Sequence, residues 1–470
     1  MDITDQIFRA YDIRGLYGVD LDEGVYEVIG KAHGTYLGGV GKNVAVGNDV
    51  RVSSPSLKEA FIKGMLSVGV NVRDVGLVPT PTVYFAISHY GLDGGAVVSA
   101  SHNPPEWNGL KLCKEKSILC GWGMGLEKIK DIAVKGMYNE APSGRIEDWS
   151  KIILRDFQDF VLSKVKISRR LRVLMDMGNG SCSLIADKIL EKAGLDVVAM
   201  NNYPDGTFPS RSPEPNDESL KPLKIPLATG SYDFGIGYDG DGDRAVFLDD
   251  KGRIIEGDKM LAIFVRHYIK SPGEKIVYEV SCSKLLDDVV RESGVISILS
   301  KVGHSFILEK MINENAFMGG EISGHLYFRD MYGADDAIFA TLKVAQLLSE
   351  SDEKFSTLVD SLPKYFTRRK VYDIPEGIKF AAIAKLQEKF VREGYNTLTI
   401  DGVRVDLNDG WFIIRASNTL PQIKTTTEAR SQRSLDRIEN LAVNSLTEAV
   451  NLVRGHPIDE SLSYKTVSIT

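Results

Sequence analysis

Short apolar segments with strand character alternate with amphipathic segments of helical spacing, and this alternation recurs three times along the chain. In the first unit the pattern predicts a strand over residues 43–46, a helix over 56–68 and a second strand over 70–75. Similar units begin near residues 172 and 257. Because alternating strands and helices pack as layered α/β domains, the pattern predicts three similar mixed α/β domains.

The last hundred residues follow a different pattern. Asp401-Gly402 and residues 408–410 are turn sequences between alternating apolar runs, which predicts β-hairpins. Helical spacing over 379–392 and 434–452 predicts two flanking helices, so we expect a smaller α+β domain here. The four predicted domains cover residues 1–145, 146–252, 253–364 and 365–470.

Composition excludes several classes of protein. The 470 residues are 43% hydrophobic and 26% charged, which is typical of globular domains and not of disordered or fibrous chains. With 57 basic and 64 acidic side chains, the net charge is −7, which argues against a nucleic-acid or anionic-membrane partner. No apolar run approaches the ~18 residues of a membrane helix. An anionic small substrate would need a local positive field.

The cysteines and the first residues indicate a compartment. The four cysteines form no C-x-x-C pair, which argues against a zinc ribbon or a disulfide framework and favours a reducing environment. The acidic N-terminal residues lack the basic-then-apolar order of a signal peptide. We therefore expect a cytoplasmic protein.

One acidic segment places carboxylates at every second position, at Asp239, Asp241 and Asp243, with glycine between them. In extended chain these side chains share a face, and the glycines let the backbone curl so that three oxygens converge. Such oxygens are ligands that Mg²⁺ prefers, although the residues alone also leave open an acidic surface turn. An EF-hand is excluded because Arg244 stands where that loop needs glycine. A dinucleotide-binding turn is excluded because residues 245–248 are strand-like.

Three further segments carry groups able to do chemistry. Ser101 lies in residues 99–105, directly after a buried-strand candidate, where α/β sheets place ligand-binding residues. The glycine-rich residues 319–325 offer a carboxylate, a hydroxyl and an imidazole to sugar hydroxyls. Arg415 opens a segment, 415–419, whose guanidinium and hydroxyls suit a phosphate. Taken singly, each segment is also readable as an ordinary polar turn.

These segments occur together and in one order, and with them the chain resembles the α-D-phosphohexomutases, most closely the phosphomannomutase/phosphoglucomutase branch. The matching motifs are residues 8–15 (FRAYDIRG), 99–104 (SASHNP) with 108–111 (NGLK), 205–209 (DGTFP), 239–244 (DGDGDR), 301–305 (KVGHS), 320–325 (GEISGH) and 415–419 (RASNT). They span nearly the whole chain, and seven motifs in order are far more specific than any one of them.

The resemblance implies four domains around a central cleft, three of them similar mixed α/β domains and the fourth α+β, each contributing one loop. It implies an isomerase that interconverts hexose 6-phosphate and hexose 1-phosphate, of mannose and/or glucose. The reaction would pass through a phosphoserine enzyme and a hexose 1,6-bisphosphate, which also serves as activator. The implied partner is a small phosphosugar, with no nucleic acid and no membrane, and the state as monomer or homo-oligomer stays open.

The resemblance also assigns roles to residues. Ser101 would rest as a phosphoserine, and Mg²⁺ would be held by Ser101, Asp239, Asp241 and Asp243. The other implied roles are catalytic for Arg14, Lys111, Arg244 and His304, and substrate-binding for Tyr11, Glu321, Ser323, His325, Arg415, Ser417, Asn418 and Thr419. The general base stays open. We expect His102 to shape the loop and not to act as the base, because adjacent side chains in extended chain point apart.

Two positions depart from relatives, and two other functions compete. The phosphate loop continues as Leu420-Pro421, which leaves its arginine and hydroxyls in place, and Ile322 stands where phosphoglucosamine mutases commonly have glutamine. An amino-sugar substrate, kept as an alternative within the family, is therefore less expected. A Mg²⁺-dependent sugar phosphatase would not need the separate Ser101 segment. A non-catalytic phosphosugar sensor would not need to keep that serine.

We also expect a hinge near residue 365.

Overall fold

A computed structural model describes residues 3–417, 420–455 and 464–466 of the chain. The chain divides into two compact units, one made of Met1–Gly257 with His304–Asp360 and the other of Asp258–Gly303 with Ser361–Ile469. The predicted third domain therefore contributes residues to both units. Among the helices of the described residues, none is long and apolar enough to cross a membrane.

The first unit begins with a six-stranded mixed sheet and its helices. The elements are β1 (Ile13–Leu16), α1 (Glu23–Tyr36), β2 (Asn43–Asn48), α2 (Ser54–Ser67), β3 (Asn71–Leu77), α3 (Thr80–His89), β4 (Gly94–Val98), β5 (Trp107–Lys114), α4 (Leu126–Lys135), β6 (Ile146–Asp148) and α5 (Ser150–Ser163). The strand order is β1-β5-β4-β2-β3-β6, with β2, β3, β4 and β6 parallel and with β5 antiparallel to both β4 and β1. Apolar residues of α1, α2 and α4 pack on this sheet in one core.

A second sheet repeats the arrangement with five strands. Its elements are β7 (Arg172–Asp176), α6 (Ala186–Lys192), β8 (Asp196–Met200), α7 (Lys221–Ala228), β9 (Phe234–Tyr238), β10 (Ala245–Leu248) and β11 (Ile254–Ile255). The order is β11-β10-β9-β7-β8, in which β7, β8 and β9 are parallel and β10 returns antiparallel to β9. In both sheets a buried parallel strand is thus followed by an antiparallel partner.

The third stretch of the chain has the same kind of elements, divided between the units. Helix α8 (Gly257–Tyr268) leads into the parallel pair β12 (Lys275–Glu279) and β13 (Ile296–Ser300), with α9 (Lys284–Glu292) between them. The first unit resumes with α10 (His304–Asn313), the antiparallel pair β14 (Met318–Gly320) and β15 (Leu326–Phe328), and the helices α11 (Ala337–Ser349) and α12 (Phe355–Asp360). The Asp336 carboxylate caps α11 by accepting from the backbone N–H of Phe339.

The C-terminal part is an antiparallel sheet with two long helices. Its elements are β16 (Phe366–Asp373), α13 (Glu376–Arg392), β17 (Asn396–Leu398), β18 (Val403–Leu407), β19 (Gly410–Ala416), β20 (Gln422–Ala429), α14 (Gln432–Arg454) and β21 (Tyr464–Thr466). The strand order is β17-β18-β19-β20-β16-β21, and apolar residues of α13 and α14 pack on the sheet. The predicted fold class, mixed α/β domains followed by an α+β domain, is confirmed.

Within the second unit, a buried arginine joins the α+β sheet to the segment that carries β12 and β13. Arg404 of β18 is 2% exposed and stacks over the Trp411 ring at 4.2 Å. Its guanidinium donates to the Val280 carbonyl and to the Asp287 carboxylate, each at 3.0 Å. These contacts explain why residues 258–303 belong to the same compact unit as the C-terminal sheet.

The four motif loops occupy corresponding places in the fold, since each connects two antiparallel strands. The Ser101 loop connects β4 to β5, the acidic loop connects β9 to β10, the glycine-rich loop connects β14 to β15, and the segment after Arg415 connects β19 to β20. A hairpin connection leaves backbone N–H and C=O groups outside the strand ladder, where they are available to hold side chains and ligands.

A buried histidine in the first sheet's core makes stability depend on pH. His33 of α1 faces Phe61 of α2, and burial lowers its pKa to about 4, although the nearby Cys113 backbone opposes part of the shift. In the unfolded chain the His33 ring is protonated below about pH 6.5, whereas in the folded protein it stays neutral down to about pH 4. The contribution of His33 to the free energy of unfolding therefore has its full value above pH 6.5 and decreases as the pH falls towards 4.

We expect His33→Leu to remove this pH dependence. Between pH 7 and pH 4.5 the difference in unfolding free energy between wild type and variant should change by ~2.5 kcal/mol, because each pKa unit is worth about 1.4 kcal/mol. Urea unfolding followed by tryptophan fluorescence measures it. A difference that stays constant over this range would show that His33 is not buried in its neutral form.

Candidate active site

The three carboxylates of the acidic loop converge in a buried cluster. Asp239, Asp241 and Asp243 are at most 1% exposed, and one ligand oxygen from each lies within 4.8 Å of the others. The loop is held from inside, because Asp239 Oδ1 accepts from the backbone N–H groups of Gly242 at 2.9 Å and Arg244 at 3.2 Å. The glycines thus allow the tight curl that brings the three oxygens together.

The charges within this cluster are unequally compensated. Burial, and then the neighbouring Asp243 and Asp241, hold the pKa of Asp239 well above its usual value. Burial also raises the pKa of Asp243, but the Lys111 ammonium, together with His325 and Arg244, outweighs burial and brings that pKa below its usual value. Asp239 is therefore the carboxylate that most lacks a positive neighbour.

Ser101 meets this cluster directly. Its hydroxyl donates to Asp239 Oδ2 at 2.9 Å, and the residue is 1% exposed. Its backbone has φ +51°, in the left-handed region that non-glycine residues seldom adopt, and its N–H donates to Ser99 Oγ at 2.8 Å. The chain at Ser101 is consequently not extended, and the His102 Nδ1 lies 3.3 Å from the Ser101 hydroxyl. The side chains of Ser101 and His102 thus lie side by side and do not point apart as expected for extended chain.

A glycine allows the acidic loop and the Ser101 loop to touch. A Cβ on Gly240 would lie 2.5 Å from the Ser101 carbonyl oxygen and 3.3 Å from the Phe208 ring. Real side chains do not approach a backbone atom this closely, so only glycine permits the contact. The distance between the serine and the carboxylates therefore depends on the absence of a side chain at position 240.

Lys111 of β5 lies among the carboxylates. Its ammonium donates to Asp241 Oδ2 at 2.7 Å and also to Asp243 Oδ2. Burial lowers the pKa of Lys111, but Asp241 and Asp243 raise it more, so the amine stays charged. Asp241 Oδ2 accepts in addition from Thr80 Oγ1 at 2.6 Å and Ser99 Oγ at 3.1 Å.

Two arginines border the serine. Arg14 Nη1 donates to the Asn103 side-chain carbonyl at 2.7 Å and to the Ala100 carbonyl at 3.2 Å, so Arg14 is tied to the Ser101 loop. Arg244 Nε donates to His325 Nε2 at 2.8 Å, while the other ring nitrogen of His325 lies 2.5 Å from Asp335 Oδ2. Because Arg244 Nε can only donate, the contacts assign the proton of the neutral His325 ring to Nδ1, on the side of Asp335.

The glycine-rich loop contributes buried polar groups to the same unit. Glu321 is 4% exposed, and its Oε1 accepts from the Tyr327 hydroxyl at 2.7 Å. Among the described residues, the buried Ser323 Oγ and His304 Nε2 have no hydrogen-bond partner. The Tyr11 ring lies edge-on to the His304 ring with centroids 5.9 Å apart. Unpartnered buried polar atoms are costly, so Ser323 Oγ and His304 Nε2 are candidates for binding a ligand.

The phosphate-loop residues belong to the second unit. Arg415 is 8% exposed and lies 3.2 Å from Asp401 Oδ2, and the Ser417 hydroxyl accepts from the Leu420 N–H at 3.2 Å. The buried amine of Lys379 donates to the carbonyls of Ser417 at 2.7 Å and Leu420 at 2.9 Å. The predicted ligands Asn418 and Thr419 lie outside the described residues.

The structure adds residues that the sequence did not single out for chemistry: Thr80, Ser99 and Asn103 beside the carboxylates and Ser101, Asp335 behind His325, and Lys379 under the phosphate loop. Most of these contacts join distant parts of the chain. Thr80 and Asp241, for example, are 161 positions apart. No periodicity or local motif carries that information.

The residues of the acidic cluster fit a divalent cation. Asp241 Oδ1 and Asp243 Oδ1 are buried and have no hydrogen-bond partner in the described part of the chain. Such atoms normally bind a donor or a metal ion. Three converging carboxylates and the Ser101 oxygen form the set of hard oxygen ligands that Mg²⁺ takes.

A serine hydroxyl against a carboxylate cluster, bordered by the buried Lys111 and by two partly exposed arginines, is typical of a phosphoryl-transfer enzyme. Four stretches match the domains of one family, described as phosphoglucomutase/phosphomannomutase alpha/beta/alpha domains I, II and III and its C-terminal domain, over residues 5–136, 154–252, 256–366 and 370–444. A phosphoglucomutase/phosphomannomutase from Thermococcus kodakarensis is 37% identical over 95% of this chain and 99% of its own length.

Two further comparisons agree. The crystal structure of a phosphoglucomutase/phosphomannomutase family protein from Burkholderia thailandensis has a TM-score of 0.88 and 32% identity, covering 95% of this chain and 98% of that chain. A probable phosphoglucosamine mutase from Methanopyrus kandleri is 33% identical over 95% of this chain and 99% of its own. The chain belongs to the phosphoglucomutase/phosphomannomutase family, which confirms the predicted α-D-phosphohexomutase membership, and it is an isomerase that transfers phosphate within a sugar.

Proposed function

We propose that this enzyme interconverts the 6-phosphate and 1-phosphate of glucose and of mannose, with Ser101 carrying the transferred phosphate. The observation that supports this most is the 2.9 Å hydrogen bond between the Ser101 hydroxyl and Asp239, inside a buried carboxylate cluster. In this position the Ser101 hydroxyl adjoins a carboxylate that, together with Asp241 and Asp243, would hold a metal ion.

Mg²⁺ is the cofactor we propose, held by Asp239, Asp241, Asp243 and an oxygen of Ser101. When bound, it supplies positive charge that offsets the charge of the transferring phosphoryl group. Asp239 supports this assignment. Burial and the neighbouring Asp243 and Asp241 raise its pKa, and a bound cation would offset this concentration of negative charge.

The cycle begins with phosphate on Ser101. A hydroxyl of the bound hexose monophosphate takes this phosphoryl group, which gives a hexose 1,6-bisphosphate, and after reorientation the other phosphate returns to Ser101. The same bisphosphate primes an enzyme that has lost its phosphate. Arg14 and Arg244 would stabilise the transferring group, and Lys111 and His304 would face the reacting oxygens.

Two further sets of side chains would hold the sugar and its second phosphate. Glu321, Ser323, His325 and Tyr11 would bind sugar hydroxyls, and this role is supported by Ser323 Oγ, which has no hydrogen-bond partner in the described part of the chain. Arg415, Ser417, Asn418 and Thr419 would grip the phosphate that is not reacting. These groups would contact only the phosphate that is not reacting and the hydroxyls that both orientations of the intermediate present in similar positions. The bisphosphate could therefore bind in either of its two orientations.

The proposal includes a sugar preference and a compartment. The residue after Glu321 is Ile322, where the phosphoglucosamine mutases that the chain resembles commonly have glutamine. We therefore assign glucose and mannose ahead of glucosamine. A cytoplasmic location is supported by the four cysteines, all buried and free.

A substrate panel tests this assignment. We expect kcat/KM for glucose 1-phosphate and mannose 1-phosphate to lie within about tenfold of each other, because the two differ in one hydroxyl, and to exceed glucosamine 1-phosphate by at least about tenfold. All three activities should vanish in EDTA and return with Mg²⁺. A preference for glucosamine 1-phosphate would show that the substrate is an amino sugar. Full activity in EDTA would show that the reaction does not need a divalent cation.

A further inference from the structure

One buried arginine is bound to the backbone of the Ser101 loop from beneath. Arg51 follows β2 and is 1% exposed. Its Nη1 donates to the carbonyls of Pro104 at 2.5 Å and Trp107 at 3.1 Å. Its Nη2 donates to the carbonyls of Ser101 at 2.9 Å and Asn103 at 2.6 Å. A single guanidinium thus binds three carbonyls of the loop and the carbonyl of the first residue of β5.

Other side chains fix Arg51 in this position. Asp49 Oδ2 lies 3.1 Å from Arg51 Nε, and Asp49 Oδ1 accepts from the Arg51 backbone N–H at 3.0 Å and from Ser54 Oγ at 2.6 Å. The Phe208 ring lies 5.3 Å from the guanidinium carbon. Phe208 also borders Gly240, so the same ring contacts the acidic loop.

These contacts bear on the strained serine. The left-handed φ of Ser101 persists only if its surroundings impose it. Ser99 Oγ holds the Ser101 N–H, and Arg51 holds the Ser101 carbonyl, so both backbone polar groups of the serine are fixed by side chains. The Ser101 carbonyl oxygen is also the atom that a Cβ on Gly240 would meet first, at the close approach of the two loops.

We propose that Arg51 is a positioning residue of the mutase reaction, whose guanidinium fork holds the Ser101 loop in the conformation that places the serine oxygen at the carboxylate cluster. Among the hydrogen bonds of the described residues, Arg51 makes none to the three carboxylates of the acidic loop. It would act on the reaction through the backbone of the Ser101 loop. The inference rests on the proposed role of Ser101. Lysine cannot replace it, because one ammonium cannot reach four carbonyls spread over residues 101–107.

The test compares Arg51→Lys with a matched control, Arg404→Lys. Arg404 is equally buried, stacks on an aromatic ring, bonds a backbone carbonyl and pairs with a carboxylate, but it lies in the second unit. We expect both variants to lose thermal stability to a similar extent. Only Arg51→Lys should lower kcat, on the order of 10²-fold, with KM within about threefold of wild type, since misplacing a reacting group by about an ångström costs this much.

Two further measurements separate positioning from folding. Guanidinium at millimolar concentration should restore part of kcat to Arg51→Ala and none to Arg51→Met, whose side chain fills the space. Asp49→Asn keeps the side-chain volume but removes the charge that pairs with Arg51 Nε. This variant should also lower kcat, by about tenfold. Equal kcat losses in Arg51→Lys and Arg404→Lys, or a loss confined to KM, would overturn the proposal.

A single-turnover assay keeps this proposal separate from the Ser101 assignment. Wild-type enzyme is phosphorylated with glucose 1,6-bisphosphate, and transfer to glucose 6-phosphate is followed by mass spectrometry of the Ser101 peptide. We expect Arg51→Lys to transfer about 10²-fold more slowly. If the wild type carries no phosphate on Ser101, the serine assignment fails. If both proteins carry it and transfer at one rate, only the role of Arg51 fails.

Discussion

Replacing Ser101 by alanine should remove mutase activity by a factor on the order of 10³ or more, because the proposed phosphate carrier is lost and the other hydroxyl of the loop, Ser99 Oγ, already donates to Asp241 Oδ2 and accepts from the backbone N–H of residue 101. The stability of the protein should hardly change, since alanine tolerates φ +51° no worse than serine does. Interconversion of glucose 1-phosphate and glucose 6-phosphate, with Mg²⁺ and glucose 1,6-bisphosphate present, measures the effect.

The matched control is Ser67→Ala. The Ser67 hydroxyl donates to the Gly64 carbonyl of its own helix, so its loss leaves the site intact. A Ser101→Ala enzyme with a rate near that of wild type would require another phosphate carrier, such as an aspartate of the acidic cluster. A Ser101→Ala enzyme that released inorganic phosphate at the wild-type rate would instead indicate a phosphatase.

A methyl group on Gly240 should lower kcat by a factor on the order of 10², with a smaller change in KM. The backbone at this residue is not left-handed, so alanine adds no conformational strain, and the effect comes from the 2.5 Å contact with the Ser101 carbonyl. Relieving that contact must move the acidic loop away from the serine, and an ångström of displacement is enough for this loss.

Gly377→Ala controls for the substitution itself. Gly377 lies in the first turn of α13, and a Cβ there meets no atom within 4 Å. Alanine at this helical position should leave kcat unchanged and slightly raise the unfolding temperature. If Gly240→Ala were as active as Gly377→Ala, the close approach of the two loops would have no part in catalysis.

The sequence predicted those parts of the fold and of the site that depend on residues close together in the chain. Alternation and turn residues gave β2, α2 and the hairpin that contains β19, because strands and helices impose their period on neighbouring residues. The acidic loop was predictable for a similar reason, since its glycines and carboxylates stand side by side in the chain. Its convergence on three oxygens follows from that spacing.

Other elements depend on contacts that no local window contains. Helix α11 is buried almost all round, so it lacks the amphipathic stripe by which helices are recognised. Strand β5 carries Asn108, Gly109 and Lys111 in buried positions and is a strand because it pairs with both β4 and β1. Arg51 was missed because its partners, the carbonyls of residues 101–107, have no side-chain identity to read.

The residue that carries the transferred phosphate can be identified directly. Wild-type enzyme incubated with glucose 1,6-bisphosphate and Mg²⁺, then digested and analysed by mass spectrometry, should carry one phosphate on the peptide that contains Ser101. Excess glucose 6-phosphate should remove it within one turnover. Phosphate on an aspartate of the acidic cluster, or a stable phosphate on Ser101 that the sugar never takes, would contradict the account.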